Sequence, residues 1–266
     1  MKTALGFATI CLVAASCVFR PTFAKGAEIK LLCAAAMKPA LDELAPGFER
    51  STNHKVIITY ATAGVVRDKI RSGESFDAAL LPTPFMDPLV TQGSVASGNV
   101  TVVARSLVSV GVRAGSPKPD ISTVAAFKNS MLAAKSISYA DPSHGGGSGI
   151  QVAQVLESLG IAEAMKPKTK LVSAEGAEVI DLLVDLLARG EAEIAFGNTP
   201  VFVAKAGVEL VGPIPSELYD TRDFAFKIGI GANAKEADAA KSLIRYLLAP
   251  DAARVFKAKG VERGTD

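Results

Sequence analysis

Tryptophan is absent from this 266-residue chain, and tyrosine, histidine and cysteine number only four, two and three. Each scarcity excludes something. His54 and His144 are far apart and few thiols accompany them, so no metal-ligand cluster is expected and no other cofactor is implied. Cys11 and Cys17 fall in an N-terminal stretch that reads as a leader, which leaves Cys33 as a lone thiol and no internal disulfide. Cys33 stands in the apolar run Ile29-Lys30-Leu31-Leu32-Cys33-Ala34 and is expected to be buried. The Gly-x-Ser-x-Gly elbow of many hydrolases is missing. A basic excess is missing as well. The formal charge is +2, and Lys2 and Arg20 would leave with the leader, so 27 basic residues remain to balance 27 acidic ones. That argues against nucleic acid as a partner.

The N-terminus is built as an export signal. Lys2 is followed by an uncharged, apolar stretch from Thr3 to Phe19, then by Arg20-Pro21 and Thr22-Phe23-Ala24, with small residues at the positions that signal cleavage needs. Cleavage after Ala24 is expected, with delivery to the periplasm. Leu12-Val13-Ala14-Ala15-Ser16-Cys17 offers a second reading as a lipoprotein signal, with Ala14 where an aliphatic residue is usual. After residue 24 no run is long and apolar enough to span a membrane, which takes about 20 residues.

The rest of the chain alternates short β-like runs with amphipathic helical stretches. The strands predicted in the first half are Ile29–Ala34, Val56–Ala61, Ala78–Leu81 and Leu107–Val112. The helices are Lys38–Ser51, where Leu41, Leu44, Ala45 and Phe48 share a face, then Val65–Arg71 and Asp87–Gln92. Further on come helices from Val124 to about Ala134, then Ile150–Leu159 and Ala177–Arg189, with strands Ile137–Tyr139, Lys170–Val172, Glu193–Phe196 and Phe226–Gly229. Helices Asp238–Leu248 and Asp251–Lys259 close the chain. A βαβα rhythm of this kind predicts mainly parallel sheets flanked by helices. The middle section is bounded by strands, which suggests two α/β lobes joined by two crossovers. Residues 28–106 plus 226–266 would form lobe 1 and residues 112–222 lobe 2, with a ligand cleft between them.

The informative local features are the strand-to-helix junctions. Asp141-Pro142-Ser143-His144-Gly145-Gly146-Gly147-Ser148-Gly149 ends a strand and opens a helix. Its glycines let backbone N–H groups approach a ligand at a helix N-terminus, a ready anion site. No Gly-Lys-Ser/Thr follows, so it is not a nucleotide-phosphate loop. Ala34-Ala35-Ala36-Met37, Ala61-Thr62-Ala63-Gly64 and Ala174-Glu175-Gly176-Ala177 are small-residue junctions of the same kind. Arg67, just after Gly64, is placed to meet a carboxylate or other oxyanion bidentately. Lys38 and Glu175 are further charged residues near the junctions, and His144 is a candidate ligand contact or proton-transfer group.

These junctions carry a resemblance. Ala34-Ala35-Ala36-Met37, Tyr60-Ala61-Thr62-Ala63-Gly64, Arg71-Ser72-Gly73-Glu74-Ser75-Phe76-Asp77, Asp141-Pro142 with Ser148-Gly149, and Ala249-Pro250-Asp251-Ala252-Ala253-Arg254-Val255-Phe256 match, in order and spacing, the periplasmic molybdate-binding proteins and related solute-binding proteins of ABC importers. The resemblance implies a type II periplasmic-binding-protein fold, α/β and two-lobed. It implies capture of a small anion by hinge closure, and a membrane permease with its ATPase as partners. It places ligand contacts at Ala36, Met37, Thr62, Ala63, Gly64, Arg67, Gly146, Gly147, Ser148, Phe196 and Asn198. Where the family holds molybdate with two serine hydroxyls and a tyrosine hydroxyl, this chain has Ala36, Thr62 or Ala63, and Phe196. A small organic carboxylate therefore suits it better than molybdate. The same superfamily includes a periplasmic aconitate isomerase, which moves a double bond by proton transfer. On that alternative the carboxylate clamps would be Arg67, Lys38 and the glycine loop, with His144 or Glu175 as base.

Overall fold

The computed structural model describes residues 26–174, 176–203 and 205–264; the leader, with Cys11 and Cys17, and Glu175 lie outside them. Eleven strands are defined among the described residues. They are Glu28–Ala34 (β1), Lys55–Ala61 (β2), Ala78–Pro82 (β3), Val95–Arg105 (β4), Val108–Arg113 (β5), Ile137–Ala140 (β6), Thr169–Val172 (β7), Ile194–Asn198 (β8), Val208–Pro213 (β9), Ala225–Gly231 (β10) and Glu262–Arg263 (β11). The helices are Lys38–Thr52 (α1), Ala63–Arg71 (α2), Thr83–Thr91 (α3), Val124–Ala133 (α4), Gly147–Ser158 (α5), Ala162–Met165 (α6), Glu178–Ala188 (α7), Ala237–Leu247 (α8) and Pro250–Ala258 (α9).

The strands form two sheets, one per lobe. The first has the order β11-β4-β10-β3-β1-β2 and the second β7-β6-β8-β5-β9. The βα alternation is realised as parallel pairing of β1 with β2 and β3, and of β6 with β7 and β8. Elsewhere the pairing is antiparallel: β10 runs against β3 and β4, and β5 against β8 and β9. The sheets are therefore mixed, because the chain changes lobe between β4 and β5 and again between β9 and β10, and each crossing reverses strand direction. The two crossings touch, with the Ser106 amide donating to the Phe224 carbonyl at 3.1 Å.

Burial explains the elements. In α1, Leu41, Leu44 and Phe48 face inward, Pro39 occupies the first turn, and Asn53 stops the helix with φ 59°. Helix α3 begins at Thr83 rather than at Asp87, since Pro84 sits well in a first turn, where it has no amide to lose. One core lies around Phe48, Met86, Phe226 and Phe256 and a second around Phe127, Met131 and Phe196. A third cluster, from α7 and Phe202, takes in Ala35 of the first lobe, so the lobes share apolar contact.

The Asp77 that ends the Ser-Phe-Asp motif is 4% exposed and ties three chain segments together. Its carboxylate accepts from the Lys30 amide at 2.9 Å, and from the Lys235 and Glu236 amides at 2.9 and 3.0 Å. Hydrogen bonds to a charged group contribute about 1.5–3 kcal/mol each, and the amides would be left unsatisfied without it. Asp77→Ala is expected to cost about 3 kcal/mol, seen as a drop of roughly 10 °C in the melting temperature. A fall within about 2 °C would show that Asp77 is not the tie described.

Candidate functional site

The strand-to-helix junctions converge on a cavity of about 340 Å³ between the lobes. From the first lobe it is lined by Ala36, Thr62, Ala63, Arg67, Pro84 and Phe85, among others. From the second come Gly146, Gly147, Ser148, Gln151, Gln154, Asn198, Asp223 and the apolar side chains of α7.

The glycine loop enters this cavity as the start of α5. Gly146 is the N-cap and contributes no side-chain cap, so the first-turn amides of α5 have no intrahelical acceptor. They carry the positive end of the helix dipole, equivalent to roughly half a charge. Gly147 is close-packed: a Cβ there would stand 3.3 Å from the Phe85 ring. Gln151 and Gln154 lie four and seven residues after Gly147, on the same face, and so share the cavity with it.

The opposite wall is α2. Thr62 caps it, its hydroxyl oxygen accepting from the Val65 amide at 3.4 Å. That hydroxyl also donates to the His144 carbonyl at 2.9 Å. Two residues after Thr62, the Gly64 amide donates to the Gly145 carbonyl at 3.0 Å. A Cβ on Gly64 would lie 2.5 Å from the Gly145 Cα, so the lobes meet here backbone to backbone. Gly145 has φ 73°, a left-handed conformation natural to glycine.

Arg67 projects from the second turn of α2. Its guanidinium holds Asp68 through Nε at 2.8 Å and Nη2 at 3.0 Å and lies 5.8 Å from the centre of the Phe85 ring. The pairing raises the Arg67 pKa and lowers that of Asp68. An exposed pair of this kind is worth about 0–1 kcal/mol, so it is readily exchanged for a ligand carboxylate. Asn198 is 7% exposed and donates to the Ser106 carbonyl at 3.4 Å, which sets it at the crossing between the lobes.

Other residues singled out in the sequence sit elsewhere. Met37 and Phe196 are fully buried. Met37 points into the first core, and Phe196 packs edge-on to Phe127 at 6.1 Å in the second. Neither lines the cavity. Lys38 bonds to Asp42 and lies over the Tyr60 ring. Burial, helped by Asp42, pushes the Tyr60 hydroxyl well up, and burial does the same to the Cys33 thiol. His144 stands at the rim, its side chain 64% exposed, with Nδ1 2.9 Å from Asp141. Among the described residues no group of histidine, cysteine and acid side chains could hold a metal ion. Phe85, Gln151, Gln154 and Asp223 are cavity residues that the sequence did not single out; the helical spacing of the two glutamines from Gly147 was the available signal.

The model of the bacterial extracellular solute-binding protein family matches residues 29–262. An aconitate isomerase from a Pseudomonas species is 26% identical over 240 residues, covering 88% of this chain and 87% of that protein. A molybdate-binding protein from Azotobacter vinelandii is 31% identical over 243 residues, covering 89% and 90%. The solved structure of a periplasmic molybdate-binding protein from Azotobacter vinelandii superposes with a TM-score of 0.72 at 19% identity, over 89% of this chain and all of that one.

Asp141 organises the loop that carries His144 and Gly145. The Ser143 hydroxyl bond is the largest cause that draws its carboxyl down to about 2, helped by the Ser143 amide, His144 and the Ser173 hydroxyl. The native pKa lies below the unfolded value of about 3.9. The stabilisation is therefore complete above about pH 4 and disappears as the pH falls from about 4 through about 2. The melting-temperature gap between wild type and Asp141→Asn should be widest near neutral pH and close across that window. A gap that stays constant down to about pH 2 would contradict this role.

Proposed function

The chain belongs to the bacterial extracellular solute-binding proteins, and from that premise we propose that it captures a small organic carboxylate between its lobes and hands it to an ABC importer. In this proposal the leader, residues 1–24, directs the protein to the periplasm, and the partners are a membrane permease and its ATPase. Among the described residues no helix is long and apolar enough to cross a membrane.

The observation that carries the proposal is the cavity. Its volume of about 340 Å³ lies at the lower end of the range of about 300–1,000 Å³ common for organic ligands. A five-atom oxyanion would leave most of that space to water. The hydroxyls that a tetrahedral oxyanion would want are missing at Ala36, and Phe196 points away. Arg67 and the amides at the start of α5 instead offer a fork and a dipole, which suit a planar carboxylate. Both lobes contribute to this grip, so binding favours the closed form through contacts that exist only in it.

A second reading is the aconitate isomerase one. The isomerase relative favours it, and so does a cavity that holds both a guanidinium and a carboxylate, Asp223. On this reading a base takes a proton from a tricarboxylate and returns it at a second carbon. Asp223 is the base inside the cavity; His144 stands at its rim, and Glu175 lies outside the described residues.

Thermal-shift screening of the protein purified from a periplasm tests the proposal. At least one organic carboxylate should raise the melting temperature by several degrees, while molybdate, tungstate and sulfate should not. Arg67→Gln should weaken that ligand about tenfold or more, since a hydrogen bond to a charged group is lost. Stabilisation by molybdate alone, or an unaffected Arg67→Gln, would sink it. Ultraviolet absorbance during incubation with cis-aconitate separates the readings, because only the isomerase changes it.

A further inference from the structure

The charges around the cavity do not suit a polyanion. Among the described lining residues Arg67 is the cation and Asp223 the anion, and Arg67 is already paired with Asp68, so these side chains bring no positive surplus beyond the half-charge of the α5 terminus. Asp223 is placed by structure. It sits in the tight turn Thr221–Phe224, where its amide donates to the Asp220 carbonyl at 3.1 Å. Its neighbour Arg222 bonds instead to Asp220, through Nε at 2.9 Å, while still feeling the Asp223 charge. Among the described residues no ion pair reaches Asp223. The turn leads straight into the crossing where Phe224 meets Ser106, so the backbone that carries Asp223 is held at the junction of the two lobes.

One stretch of the remaining wall is hydrocarbon, with Val179, Ile180 and Leu183 of α7 beside Phe224 and Phe226, and the other polar groups in the described lining, such as Ser148 and the two glutamines, are neutral. A ligand with one carboxylate can meet Arg67 and the α5 amides with that group and bury its body on this wall. A second or third carboxylate would find no second cation among the described lining residues: it would face neutral groups, hydrocarbon, where a charge without a partner is costly, or Asp223, where it meets a like charge.

We propose that Asp223 is a specificity-determining residue that repels di- and tricarboxylates and selects a monocarboxylate with an apolar body. This rests on the carboxylate reading above, and it opposes a tricarboxylate as the natural ligand. Rejection by a built-in repulsive group is a common route to selectivity.

Calorimetric titration of the wild-type protein with butyrate, pentanoate, hexanoate, adipate and citrate tests it. Each added CH₂ should tighten binding about fourfold, and adipate should bind at least about tenfold more weakly than hexanoate. In Asp223→Asn and Asp223→Ser the hexanoate–adipate gap should shrink about tenfold, with the melting temperature of the free protein showing that each variant folds. Adipate or citrate binding more tightly than hexanoate to wild type overturns the inference and leaves the carboxylate reading standing. So does a gap unchanged in both folded variants. No binding by any carboxylate removes both. The chain-length series on wild type decides the matter even if neither variant folds.

Discussion

The site depends on one contact: Gly64 against Gly145 across the cleft. Every other feature needs the lobes to approach this closely. The Gly64 amide bonds to the Gly145 carbonyl at 3.0 Å and the Thr62 hydroxyl to the His144 carbonyl at 2.9 Å. Both bonds end on main-chain carbonyls of the loop that opens α5. A side chain at either glycine would fill the space through which the backbones meet. Closure by this contact brings the N-terminus of α5 to face α2 and Arg67 across the cavity, where charge and dipole act together on a ligand.

The relatives fit this picture as variations on a frame. Similarity extends to a molybdate-binding protein and to an aconitate isomerase, and a shared fold does not fix the ligand. The ligand is set by the chemistry that the junctions present. Here Ala36 brings no hydroxyl, Phe196 is spent in the second core against Phe127, and the polar groups are instead Arg67, Ser148, Gln151, Gln154, Asn198 and Asp223. Charge balance and an apolar wall then set what the cavity tolerates. The loop organised by Asp141 has a structural part in this: it holds His144 and Gly145 where the first lobe can reach them.

Much of the frame was legible in the sequence because burial writes a period into it. The apolar runs of β1, β3 and β6 and the helical stripe of α1 read directly. So did the glycine loop, because glycine is informative where backbones must approach. The strands that escaped notice are β4 and β9, half-exposed with runs such as Ser97-Gly98-Asn99 that carry little apolar signal, and the exposed two-residue β11. Mainly parallel pairing was expected; which strands run antiparallel was not legible, because periodicity does not encode strand direction, which follows from the crossings. In the site, small residues at junctions marked where the cavity would be. They did not show which side chains turn inward: Met37 and Phe196 alternate into cores, and Asp223 sits in a turn without a repeating pattern. Strand and helix phase, not residue type, decided those cases.

Small-angle scattering of wild type and Gly64→Ala, each with and without a saturating stabilising carboxylate, tests the central claim most directly. The account predicts that wild type contracts on binding while Gly64→Ala, with a methyl group where the Gly145 Cα must come, stays expanded. Equal contraction of the two proteins would contradict it.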